Sequence, residues 1–209
     1  MRILPLLLLA LTTAASAQTN AGIKLLLLSP VDRQVFQRES KAEGKIIIES
    51  VIESTARGAL TNLDHLEARI LTSTNDTTTD WQTLPFDNRV RQFRTELRAP
   101  AGGWYRVQVR LLAGEKTIAE TDVEHVGVGE VFVIAGQSNS ANHGEEKQRA
   151  KNPLVVAYGN GHWQPAADPE PGASGKGGSF MPAFGDAMAE KFKVPIALVP
   201  IGVGSTSVR

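Results

Sequence analysis

The sequence predicts an all-β part followed by an α/β part, and three observations carry that expectation. Residues 23–126 break into short apolar runs separated by turns, with no helical periodicity. One hairpin is explicit: Tyr105, Val107, Val109 and Leu111 alternate with Arg106, Gln108 and Arg110, Gly114-Glu115 turns the chain, and Thr117–Val126 returns. After Gly127-Val128-Gly129 the pattern changes, and residues 179–201 read as a helix followed by a buried strand, the second half of a βαβ unit.

The chain has 209 residues. Its first residues read as an address. Arg2 is a positive start, Ile3 to Leu11 an apolar core, and Ala15-Ser16-Ala17 a small-residue cleavage pattern. The apolar run is shorter than the ~20 residues that span a bilayer, so residues 1–17 are expected to be a signal peptide, cleaved near Ala17. The mature chain is then secreted or periplasmic, with no transmembrane anchor. Lys+Arg and Asp+Glu number 22 each, so no basic excess points to nucleic acid or to a membrane surface. There is no cysteine, which excludes disulfides, thiolate metal sites and cysteine nucleophiles. Nothing in the sequence implies a metal or an organic cofactor, and the oligomeric state is not encoded legibly.

Residues 18–126 are expected to form the β domain. Ile23–Leu28 and Lys45–Val51 are strand candidates; Leu66, Ala68 and Ile70 share one face by alternation, as do Phe93, Thr95 and Leu97. Ala99–Gly103 is a turn. Several short strands over about 100 residues predict an antiparallel sandwich of immunoglobulin-like type. The polar stretch Ser73–Asp80 reads as an exposed loop, and Asn75-Asp76-Thr77 is formally a glycosylation sequon to which no function is assigned.

The two glycines of Gly127-Val128-Gly129 suit a domain junction, and residues 127–209 are expected to form the α/β part. Val131–Ala135 is a β-branched apolar run of the kind buried on both faces of a parallel sheet. Gly136 ends it, and Ser138 follows, with Asn139 and Ser140 offering cap chemistry for a helix start. A serine there exposes its hydroxyl above the sheet, with free N–H groups and a helix dipole at hand for an oxyanion. The alternative is an ordinary helix cap. Beyond a short helix, residues to Lys151 lack an apolar face and read as irregular. Leu154–Tyr158 is a second apolar run. Residues 159–178 are rich in Gly, Pro and Ala and read as a long loop carrying His162, Trp163 and Asp168. Trp163 either forms a wall on which a sugar stacks or packs the loop down. Ser179–Lys193 is the best helix, capped by Ser179, with Pro182 in its first turn and Phe180, Phe184, Met188 and Phe192 as a core stripe. Val194–Ile201 follows as a strand. Ser138 and Gly204 thus both lie just past strand ends, where open α/β sheets bind ligands.

Gly136-Gln137-Ser138-Asn139, preceded by Val128-Gly129-Glu130-Val131, resembles the first motif block of the SGNH hydrolases. More narrowly it is similar to the sialate O-acetylesterase and acetylxylan esterase group, carbohydrate esterase family six. Pro200-Ile201-Gly202-Val203-Gly204-Ser205-Thr206-Ser207 resembles that group's second block, with Ser205 where many relatives carry a glycine. The resemblance covers Val128 to Arg209. It implies a flavodoxin-like parallel sheet, Ser138 as nucleophile, the N–H groups of Ser138 and Gly204 as oxyanion donors, Gln137 and Asn139 beside the substrate, and an acetylated carbohydrate as partner.

A serine hydrolase also needs a base, usually histidine oriented by a carboxylate. His65 and His125 fall in the β part. His143 points away from Ser138 if the intervening segment is helical. His162 is the local candidate. The resemblance places an Asp-x-x-His pair near the end of the domain, and no such pair occurs here. The expectation is therefore the front portion of an exported carbohydrate O-acetylesterase, nearly inactive alone, with its base beyond residue 209. Another class stays open: a secreted carbohydrate-binding or adhesion protein with a degenerate α/β part. A nucleotide loop at Gly202-x-Gly204 fails for want of the full glycine fingerprint.

Overall fold

The computed structural model describes residues 22–54, 63–74, 76–87 and 89–206. The expected leader and Asn75 of the sequon lie outside the described residues. Two sheets face each other across the first core. The smaller has the order β1-β3-β6, formed by β1 (Ile23–Ser29), β3 (Glu43–Ser54) and β6 (Gln92–Pro100), all antiparallel. β3 and β6 alternate strictly between buried and solvent-facing positions. Ile46, Ile48, Ile52, Phe93 and Leu97 therefore point inward. They meet Leu66, Ile70, Val107, Val109 and Leu111 from β4 (His65–Thr72) and β7 (Gly102–Ala113), with β5 (Gln82–Leu84) at the edge. The β part is thus a two-layer sandwich, as the alternation predicts.

The second sheet does not stop at the sandwich. β8 spans Lys116–Ile134, pairing antiparallel with β7 from Lys116 to Val128 and parallel with β11 (Ile196–Pro200) in its last five residues. β9 (Val155–Gly159) lies parallel on the far side of β11, and β10 (His162–Pro165) closes the edge antiparallel to β9. A short β2 (Val35–Gln37) runs parallel to Gly127–Gly129. The glycines expected to mark a junction lie inside one continuous strand. Their physical reason is close approach. A Cβ on Gly129 would fall 1.9 Å from the Pro195 carbonyl oxygen, and one on Gly127 2.9 Å from the Pro195 ring. A shift of register near His125, whose φ is 53°, bends β8 so that one strand serves both regions.

α1 (Met181–Phe192) covers one face of the parallel strands. Its fully buried positions are Met181, Pro182, Gly185 and Ala189, and the larger Phe184, Met188 and Phe192 pack beside them. The expected four-residue stripe is therefore corrected at its first member: Phe180 is 46% exposed. The helix starts two residues later than expected. Ser179 still serves its end, its hydroxyl accepting from the Met181 N–H at 3.2 Å. Among the described residues, no helix is long and apolar enough to cross a membrane.

Candidate active site

β8 ends at Ile134 and the chain turns at Gly136, whose φ of 138° is open to glycine and strained for other residues. Ser138–Ser140 then form a single 3-10 turn instead of the expected α-helical start. One such turn aligns few peptide dipoles, so individual N–H groups are the electrostatic resource there, not a helix dipole. No side chain caps it. Gln137, Ser138 and Asn139 are exposed, and the Ser138 hydroxyl accepts or donates no hydrogen bond among the described residues.

The second block is drawn to the same sheet edge by the parallel pairing of β11 with β8. Past the ladder, the Ile201 N–H donates to the Ile134 carbonyl at 2.9 Å and the Val203 N–H to the Gly136 carbonyl at 3.0 Å. A Cβ on Gly202 would fall 1.9 Å from the Ser140 carbonyl oxygen, so only glycine lets the segments pass. The Gly204 N–H is occupied: it donates to Ser174 Oγ at 2.9 Å. Ser205 stands at φ 62°, in the left-handed region that a glycine would occupy freely.

The loop after β10 is laced onto the Ser138 turn. Asn142, 1% exposed and at φ 54°, donates from its side-chain amide to the Glu170 carbonyl at 2.9 Å and accepts from the Glu170 N–H at 3.0 Å. The Ser174 N–H donates to the Gly202 carbonyl and the Gly175 N–H to the Ala141 carbonyl. Asp168 accepts from the N–H groups of Gln148 and Ser179 and from the Ser179 hydroxyl. Glu170 itself is buried with both carboxyl oxygens unpartnered. Burial, helped by the nearby Asp168 charge, pushes its carboxyl up to about 7. The Ala167 amide opposes this slightly, without reaching hydrogen-bond geometry.

The histidines fall as follows. His65 and His125 stay in the sandwich, His125 Nδ1 lying 2.7 Å from Asp32 Oδ1. His162 lies in β10, bound to Gln164 and Asn160, and does not join the Ser138 turn. His143 was expected to point away from Ser138 if the intervening segment is helical, and that condition is not met. The turn at Asn142 replaces helix, and the imidazole lies against Gly204: a Cβ there would fall 2.6 Å from His143 Nε2. Among the described residues no imidazole hydrogen-bonds the Ser138 hydroxyl.

Trp163 is in a strand, not in a loop. It pairs with Tyr158 across the β9–β10 hairpin, ring centroids 5.0 Å apart, and packs with Trp104 and Val131 around Val156 and Ala197. The packing role is the one it has here. A cleft of about 460 Å³ is lined by Asn139, Gly144, Glu146, Gly178, Ser179 and Phe180. A smaller one of about 90 Å³, between Thr72, Trp104, Tyr105 and His125, lies on the sandwich side. Among the described residues no cluster of three or more His, Asp or Glu side chains could hold a metal ion.

Residues 128–209 match the family described as carbohydrate esterase, sialic acid-specific acetylesterase. No curated protein matches the chain. Among solved structures, a carbohydrate acetylesterase from Xanthomonas citri aligns with 85% of this chain at 18% identity and a TM-score of 0.51. This chain spans 40% of that protein's length. A glycosyl hydrolase family 2 member from Bacteroides cellulosilyticus aligns with 49% of this chain and 14% of its own, at 22% identity. Its TM-score of 0.28 is too low to define a shared fold. Residues 128–209 are thus similar to a carbohydrate esterase family, and the likeness to the acetylesterase is one of fold.

Proposed function

We propose that the protein is an exported serine esterase that removes O-acetyl groups from a carbohydrate, with Ser138 as nucleophile and an immunoglobulin-like sandwich before the esterase part. The observation that carries this reading is the convergence of the Ser138 turn and the Gly202–Gly204 segment at one sheet edge, fixed by backbone bonds from Ile201 and Val203. An exposed serine hydroxyl there meets an acetyl carbonyl from solvent. Its oxygen attacks the carbonyl carbon, its proton passes to a base, and the negative charge develops on the former carbonyl oxygen. The Ser138 N–H is one donor to that oxyanion. Gly204 is the second once Ser174 Oγ, which now accepts its N–H, swings aside. Collapse releases the sugar hydroxyl and leaves an acetyl-enzyme, which water hydrolyses to acetate.

Acetate release from acetylated xylan and from O-acetylated sialic acid tests the proposal. Ser138→Ala is expected to lower release by about 10³-fold or more. Release that survives the substitution overturns it. The carbohydrate-binding reading draws support from the Ser138 hydroxyl, which no described base touches. Glycan binding that maps to residues 22–126, without acetate release, would favour that reading.

A further inference from the structure

Residues 171–178 form a strap across both segments of the site. The Ser174 N–H donates to the Gly202 carbonyl at 3.0 Å, the Gly175 N–H to the Ala141 carbonyl at 2.8 Å and the Gly177 N–H to the Asn142 carbonyl at 2.7 Å. Its glycines let it lie flat. A Cβ on Gly175 would fall 2.1 Å from the Ala141 carbonyl oxygen, and one on Gly177 2.3 Å from that of Gly144. The Ser174 side chain then reaches the second segment, where its Oγ accepts the Gly204 N–H at 2.9 Å. With the backbone pinned, the soft coordinate at that contact is the side-chain torsion χ1. Serine has three staggered wells there, and a step from one to the next carries Oγ through about 2 Å. That breaks the bond without lifting the strap.

The contact is a competition between acceptors. A neutral hydrogen bond of this kind favours the closed rotamer by a factor of about 2–10. A neutral carbonyl oxygen offers Gly204 a bond no better than the one it has. An anionic oxygen offers a charge-assisted bond about twice as strong. Ser174 is exposed, so a solute can reach the contact. Closure weakens the binding of whatever needs the Gly204 N–H, in proportion to the fraction of molecules that stand open.

Resting on the esterase reading above, we infer that Ser174 is an internal competitor for the Gly204 N–H: its hydroxyl occupies the oxyanion position at rest and yields it, by one rotamer change, to a negatively charged oxygen and not to a neutral one. The substrate ester then binds with the contact closed. The contact opens as charge develops on the carbonyl oxygen, so the competition is felt in the transition state. Until then the Gly204 N–H stays paired.

Acetate and acetamide share a shape, differ in charge and contain no ester, so they test the competition without any hydrolysis. Each is titrated into the ¹⁵N-labelled protein at pH 7 and constant ionic strength, followed by NMR. Acetate is expected to shift the Ser138 and Gly204 amides saturably, and acetamide to leave Gly204 in place. Ser174→Ala removes the competing oxygen and should tighten acetate about 2–10-fold. Ser174→Cys keeps the side-chain shape with a weak acceptor and should tighten it in the same sense. The second variant decides the matter if the Gly175 and Gly177 amides show that alanine disturbs the strap. Unchanged or weaker acetate binding in both variants overturns the inference. So does a Gly204 amide that ignores acetate, or one that answers acetamide equally. A protein that binds acetate as expected yet hydrolyses no ester would sink the esterase reading and leave the competition standing.

Discussion

Glu170 buries a carboxyl group with neither oxygen hydrogen-bonded, two residues from Asp168. Both features disfavour its charge, and burial is the larger cause of the rise from 4.5 to about 7. The folded state therefore holds the neutral acid more readily than the unfolded chain does. Stability from this group is fully present below pH 4.5. It is lost as pH rises from 4.5 towards 7 and then levels off, the opposite of the usual ion-paired carboxylate. A shift of this size corresponds to about 3 kcal/mol. Urea unfolding of the protein and of Glu170→Gln between pH 4 and 8 isolates it. The stability difference between the two should fall by an amount of that order over this window; a flat difference would mean that Glu170 ionises freely. A glutamate in a Pro- and Gly-rich loop reads from sequence as solvated, and only the Asn142 clamp explains why it is not. The positions of Ser138 and Gly204 just past the ends of β8 and β11, by contrast, were legible, because glycine beside a strand end is a local signal. The hydrogen bond from Gly204 to Ser174 was not legible, since the partners are thirty residues apart, with α1 and β11 between them.

At the scale of elements, glycine in α1 acts against its usual sign. In an exposed helix, Gly→Ala stabilises by about 1 kcal/mol. Gly185 faces β9, and a Cβ there would lie 2.3 Å from Val155 Cγ1 and 3.5 Å from Leu198 Cδ1. The helix rests on the sheet at the distance a glycine permits. Gly185→Ala should therefore destabilise by about 1–3 kcal/mol, the range for overpacking. Thermal unfolding followed by circular dichroism would show a lower midpoint; a higher one would mean the helix can lift without loss. This close seat also explains why the aromatic stripe of α1 was only half right. Four-residue spacing placed Phe184, Met188 and Phe192 on the packed side, but the small residues Gly185 and Ala189 occupy the deepest positions and turn Phe180 out to the cleft. The sandwich strands were legible because β3, β6 and β7 alternate. β2 and β10 were not, since a strand of three or four residues has too few positions to show a period.

The whole molecule turns on β8. Its Lys116–Val128 stretch contributes Ala119, Val126 and Val128 to the sandwich core, and its last residue but two, Phe132, meets Phe184 of α1 at 5.1 Å in an edge-on contact. Other groups tie the same regions. Arg38, at the end of β2, pairs with Glu130 at 2.6 Å with both side chains largely shielded, and its guanidinium lies 5.3 Å from the Phe192 ring centroid. The Gln37 side chain accepts from the Val131 N–H, and the Trp104 indole N–H donates to the Pro153 carbonyl. The glycines at residues 127–129 suggested a domain junction; there the chain runs as a buried strand packed against Pro195, which offers no hinge. The two cores are thus expected to unfold together. Ile48, fully buried in the sandwich, gives the test. Ile48→Ala should cost about 2–5 kcal/mol, and urea unfolding should show the same shift in midpoint for methyl resonances of Leu111 in the sandwich and of Leu198 beneath α1. A midpoint for Leu198 that stays in place while that of Leu111 falls would show that β8 joins two independently stable units, and that the sheet edge at Ser138 needs nothing from the sandwich for its stability.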